Sequence, residues 1–99
     1  MVKHIVLFRL KKSLTTEEKT DVMLRFKAAI EALPEKIRSI RSIHVGLNMN
    51  PEEEWDICLD STFDTLEEVK AYAVHPDHIA AASILKEAKD GRACTDYEL

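Results

Sequence analysis

Apolar residues recur at every second position from the start of the chain. Val2, His4, Val6, Phe8 and Leu10 fall on one side, and Ile5 and Leu7 on the other. A period of two predicts a β-strand. Because both sides are apolar at its centre, the strand is expected to be covered on both faces. The period changes after Thr15. Val22, Met23, Phe26, Ala29, Ile30 and Leu33 are spaced by three or four, which predicts a helix with one buried stripe. Thr15 and Glu18 fit a capping box, Glu17 and Glu18 suit the positive end of the helix dipole, and Pro34 ends the element.

Alternation returns from Ile40 to Leu47, with Ile43, Val45 and Leu47 on one face and Ser42, His44 and Gly46 on the other. A loop around Asn50-Pro51 follows. A third strand is predicted from Trp55 to Phe63, with Trp55, Ile57, Leu59 and Phe63 on one side and Asp56, Cys58, Asp60 and Thr62 on the other. A second helix opens at Asp64 or Thr65, where Thr65 and Glu68 offer another capping box. Pro76 interrupts it, since proline lacks an N–H and disfavours helix at the residue before it. A further helix is expected from Pro76 to about Lys89, stopped by Asp90-Gly91, and a last strand from Arg92 to Glu98.

The predicted order β-α-β-β-α-β, with the second helix broken in two, is an α+β, ferredoxin-like arrangement in one domain spanning residues 1–99. An antiparallel sheet then carries both helices on one face. Ile5, Leu7 and their neighbours are left on the other. At ~25 cal/mol per Å² an exposed patch of several hundred Å² is worth several kcal/mol when covered, so a homodimer formed sheet to sheet is expected. Asp56, Asp60 and Thr62 predict that part of that interface is polar.

Composition narrows the function. The 99 residues carry a net charge of −4, which argues against an electrostatic grip on nucleic acid or an anionic membrane. No apolar run exceeds Ile5 to Phe8, so no membrane partner is expected and a cytoplasmic location is. Two glycines leave no Gly-rich phosphate loop, and six aromatics make any pocket mostly aliphatic. Cys58 and Cys94 lack CxxC spacing and read as reduced thiols. His75 and His78 form an H-x-x-H pair, but zinc wants three or four ligands, so no metal site is assigned.

The chemistry near neutral pH rests on four histidines and two tyrosines. Tyr72 to His78 reads Y-x-x-H-P-x-H around the helix break, where side chains converge off regular geometry. His4 lies on the strand face that carries Val6 and Phe8. If that face meets the helices, His4 and the junction look into one space. Each of His4, Tyr72, His75 and His78 also has a purely structural reading, and His44 is read as structural or interfacial.

The opening Val2-Lys3-His4-Ile5-Val6-Leu7-Phe8, the Tyr72–His78 segment and the ending Asp96-Tyr97 together resemble the stress-responsive A/B-barrel (Dabb) family over the whole chain. The resemblance implies a dimeric α+β barrel. It also implies a correspondence with plant polyketide cyclases of the family, which promote an aldol condensation without a cofactor. On that correspondence His78 is a general base, Tyr72 orients it or polarises a carbonyl, His4 helps hold the substrate and Asp96 supports the site. Val6, Phe8, Met23, Phe26, Ile57, Leu59 and His75 would contact the bound molecule. Ile57, Val22, Met23 and Ala80-Ala81-Ala82 differ from the bulkier or polar residues of those cyclases. Three functions are carried forward: binding of a small apolar or aromatic ligand, a cofactor-independent cyclase-like lyase, and a structural dimer.

Overall fold

A computed structural model describes residues 1–99. Its strands are β1 (Val2–Leu10), β2 (Ser42–Leu47), β3 (Ile57–Phe63) and β4 (Lys89–Glu98). Its helices are α1 (Thr16–Glu31), α2 (Leu66–Ala73) and α3 (Pro76–Ala82), with 3₁₀ turns at Leu33–Glu35 and Ser83–Leu85. The strands form one antiparallel sheet in the order β2-β3-β1-β4, which is the ferredoxin-like arrangement.

Local signals place these elements. The Thr15 side chain accepts from the Glu18 N–H and the Glu18 carboxylate accepts from the Thr15 N–H, so the first capping box forms in full. The second forms by half: Thr65 accepts from the Glu68 N–H, but the Glu68 Oε2 is buried without a partner. Pro76 opens α3 at its first turn, where a missing N–H costs nothing.

Burial along β1 alternates without exception. Val2, His4, Val6, Phe8 and Leu10 are buried, and the residues between them are half-exposed. The buried side meets Val22, Phe26 and Ile30 of α1, Val45 of β2, Ile57, Leu59 and Phe63 of β3, and Tyr72 of α2 in a single cluster. Burying each such side chain contributes ~1.5–3 kcal/mol before chain entropy is counted. On the opposite face Ile5 and Leu7 stay half-exposed beside Lys3, whose ammonium bonds Asp60 at 2.9 Å.

Three sequence expectations need correction. β2 starts at Ser42 and β3 at Ile57, each two residues late. Trp55 therefore escapes the alternation and turns to the open face, where the Arg9 guanidinium sits 5.3 Å from its ring. The third helix stops at Ala82, and Asp90-Gly91 lies inside β4 instead of ending a helix. Arg9 accounts for this. Its Nε donates to Asp90 at 2.9 Å, and its guanidinium lies over Gly91, where an added Cβ would stand 2.9 Å from Nη2 and push the arginine tip aside.

Candidate functional site

The helix junction and the covered face of the sheet enclose a cavity of about 220 Å³. β1 supplies His4, Val6 and Phe8 to its wall, and β3 supplies Leu59. Phe26 comes from α1, Tyr72 and Ala73 from α2, His78 and Ala82 from α3, and Lys89 and Arg92 from β4. Strand alternation points every second β1 side chain at the helices. The Pro76 break turns α3 so that His78 returns over Tyr72.

Tyr72 is the centre of an aromatic group. Its ring centroid lies 4.3 Å from His78, 5.1 Å from Phe63 and 6.2 Å from His4. Only 2% of the residue is exposed, and its hydroxyl is closed off with no hydrogen-bond partner. Burial pushes that hydroxyl far above its ordinary value of 10.0, so it stays a neutral donor.

The two histidines are held by different partners. His78 Nδ1 lies 3.1 Å from the Ala73 carbonyl. A carbonyl only accepts, so Nδ1 carries the hydrogen and Nε2 keeps a free lone pair. Burial lowers the His78 pKa, reinforced by His4, Arg92 and His75 and opposed by the Ala73 bond, so the ring is neutral at pH 7. His4 Nδ1 lies 2.5 Å from Asp96 Oδ1, which fixes that ring from the β4 side. Neutral His78 and the protonated Tyr72 form an adjacent acceptor and donor at one wall, the pairing that proton transfer requires.

The remaining sequence candidates fall elsewhere. Asp96 stands behind His4. Ile57 is 1% exposed and belongs to the core without lining this cavity; it borders the separate groove that Leu7, Trp55 and Cys58 line. Met23 packs against the outside of the core, since α1 turns Phe26 toward the cavity instead. His75 caps α3, its Nδ1 accepting from the Asp77 N–H at 3.1 Å, and this points it off the wall. His44 sits at the sheet edge, 3.2 Å from Glu31. The sequence reading missed Ala73, Ala82, Lys89 and Arg92. Arg92 was within reach of it, because the last strand places Arg92, Cys94 and Asp96 at alternating positions on one face.

His4, Cys94 and Asp96 also bring one nitrogen, sulfur and oxygen donor within 4.8 Å of one another. Two ligands of one tetrahedral zinc stand ~3.3 Å apart, given bonds of ~2.0–2.1 Å. The 2.5 Å between His4 and Asp96 is a hydrogen bond, and a cation would have to open it.

A four-stranded antiparallel sheet with its helices on one side and a mainly apolar cavity beneath them defines an α+β barrel-type protomer. The chain belongs to the Stress responsive A/B Barrel Domain (Dabb) family, which it matches over residues 2–99. It is similar to a dimeric protein of unknown function with a ferredoxin-like fold from Bacteroides fragilis NCTC 9343. The two are 61% identical with a TM-score of 0.98, and the match covers 99% of this chain and 95% of that one. Olivetolic acid cyclase from Cannabis sativa is 20% identical over 99 residues, which is 97% of this chain and 94% of the cyclase. Hydroxynitrile lyase from Passiflora edulis has the same fold. Its TM-score is 0.71 at 17% identity, over 97% of this chain and 90% of the lyase. These relatives place the chain in its family and fold without assigning a reaction. No helix is long and apolar enough to cross a membrane.

Proposed function

We propose that this protein binds a small apolar or aromatic ligand in the cavity between sheet and helices, as a homodimer closed across the open sheet face. The observation that carries the ligand reading is the buried Tyr72 hydroxyl without a partner, beside the free Nε2 of His78. A closed-off hydroxyl costs ~1–3 kcal/mol when unsatisfied, and a polar atom on a ligand relieves that cost. The apolar remainder of the wall accepts the ligand body. Titration calorimetry with a panel of single-ring aromatics is expected to find binders that Ala82→Trp excludes. A panel with no binder overturns the reading and favours a structural dimer. The dimer is supported by the half-exposed Ile5 and Leu7 and by the dimeric description of the Bacteroides relative.

A second reading is favoured by the adjacency of Tyr72 and His78. In a cofactor-independent, cyclase-like lyase, His78 Nε2 takes a proton from carbon next to a ligand carbonyl. Tyr72 then donates to the oxygen on which charge develops, and His4 holds the ligand. Hydrogen–deuterium exchange at the α-carbon of a bound aryl ketone such as acetophenone tests it. Exchange should depend on protein and vanish in His78→Ala; its absence in the wild type refutes catalysis and leaves binding intact.

A further inference from the structure

The cavity wall contrasts with the rest of the chain. The protein is acidic, at −4 net, yet none of the residues lining the cavity is a carboxylate, and two are cations. Arg92 and Lys89 form no salt bridge, a state they share with seven other Lys and Arg of the chain, so both charges are available to a ligand. Both cations come from β4 beside Phe8: Arg92 pairs with Phe8 across the ladder, and the Lys89 ammonium lies 5.7 Å from the Phe8 ring. The one carboxylate close by, Asp96, is already engaged by His4. Every ionic group on the wall that is free to act is therefore positive, next to the neutral donor of Tyr72. Arg92 is also near enough to His78 to disfavour its protonation, which places its charge over the same space.

Resting on the reading of this cavity as a ligand site, we propose that its ligand is an organic monoanion, a small aryl or alkyl carboxylate. Its carboxylate is held by Arg92 and Lys89, and its apolar body lies against Val6, Phe26 and Leu59. Arg92 is exposed at the rim, and a guanidinium meets a carboxylate through two parallel bonds, so a ligand whose body fills the apolar wall can place its carboxylate there. Size agrees. An apolar cavity of ~150 Å³ holds benzene, and 220 Å³ leaves room for a short carboxylate arm on one ring.

Phenylacetate and its neutral near-isostere phenylacetamide separate charge from shape. In chemical-shift titrations at low salt, the wild type is expected to bind phenylacetate at least ~5-fold more tightly than the amide, from the gap between charged and neutral hydrogen bonds. Added salt should narrow the gap. The double variant Arg92→Gln/Lys89→Gln should lose the preference and still bind the amide, which also reports that it is folded. Arg92→Lys should keep most of the preference. Equal affinities in the wild type overturn the anion proposal and leave the ligand cavity standing. If neither compound shifts the cavity signals, the ligand cavity is refuted and this proposal with it.

Discussion

Replacing Tyr72 with phenylalanine should make this protein more stable and a poorer binder. The hydroxyl is closed off from solvent and bonded to nothing, while the ring packs at 5.1 Å on Phe63 and 4.3 Å on His78. Phenylalanine keeps the packing and removes the unsatisfied group. A buried hydroxyl without a partner costs ~1–3 kcal/mol. Allowing for partial relaxation, Tyr72→Phe should gain about 1–2 kcal/mol. For a chain of this size each kcal/mol raises Tm by roughly 4–8 °C. The assay is thermal unfolding followed by circular dichroism, with both proteins at one concentration so that dimerisation does not bias the comparison. A ligand that uses the hydroxyl should bind ~5–10-fold more weakly to the variant, the worth of one hydrogen bond. A fall in Tm by 4 °C or more would mean that the hydroxyl is satisfied in the folded protein, and the reasoning would be wrong. This stability is given up at the position proposed for function, a pattern common in sites that await a partner.

Other consequences are equally open to measurement. Leu7→Glu places a charge on the open sheet face and should give a mass near 11.3 kDa by light scattering, where the wild type gives twice that; a variant that stays dimeric removes the sheet face as the interface. Because burial lowers the His78 pKa, the unfolded chain binds the proton more tightly, and stability should decline as pH falls below the ordinary imidazole value of 6.5. His78→Gln should flatten that slope in urea titrations at stepped pH, and an unchanged slope assigns it to another group. Partial burial raises the Glu31 carboxyl, but Lys27, the Val45 N–H and His44 outweigh it, leaving it lowered from 4.5. Its stabilisation is present above 4.5 and lost as pH falls through the folded value. Glu31→Gln should therefore cost about 1 kcal/mol at pH 7 and little in strong acid; an equal cost at both pH values contradicts this.

The sequence carried the fold where local chemistry was strong. Period-two alternation in β1 needs no knowledge of neighbours, and the Thr15 box and the Pro76 break act within a few residues. What failed depended on contacts between distant segments. Trp55 reads as a covered strand residue until Arg9, far away in sequence, is known to sit over it. Asp90-Gly91 reads as a helix stop until the same arginine is seen to pair with Gly91 across the ladder and bond Asp90. The site followed the same rule. His4, Tyr72 and His78 stood out because a histidine on an apolar strand face and a Y-x-x-H-P-x-H break are unusual by themselves. Met23 and Ile57 were expected on the wall from the family resemblance, and neither lines the cavity. Lys89 was passed over because the last strand begins there, three residues before its expected start, whereas Arg92 already stood on the predicted strand, on the face of Asp96.

Backbone amide shifts during titration with phenylacetate or an uncharged aromatic locate the bound ligand, because a second concavity competes with the cavity. It is an open groove of about 370 Å³ on the other side of the sheet, lined by Leu7, Trp55 and Cys58. Shifts are expected to cluster on Ala73, His78, Ala82 and the covered side of β1, and to disappear in Ala82→Trp. Shifts centred on Trp55 and Cys58, or shifts that survive Ala82→Trp unchanged, would contradict binding in the cavity.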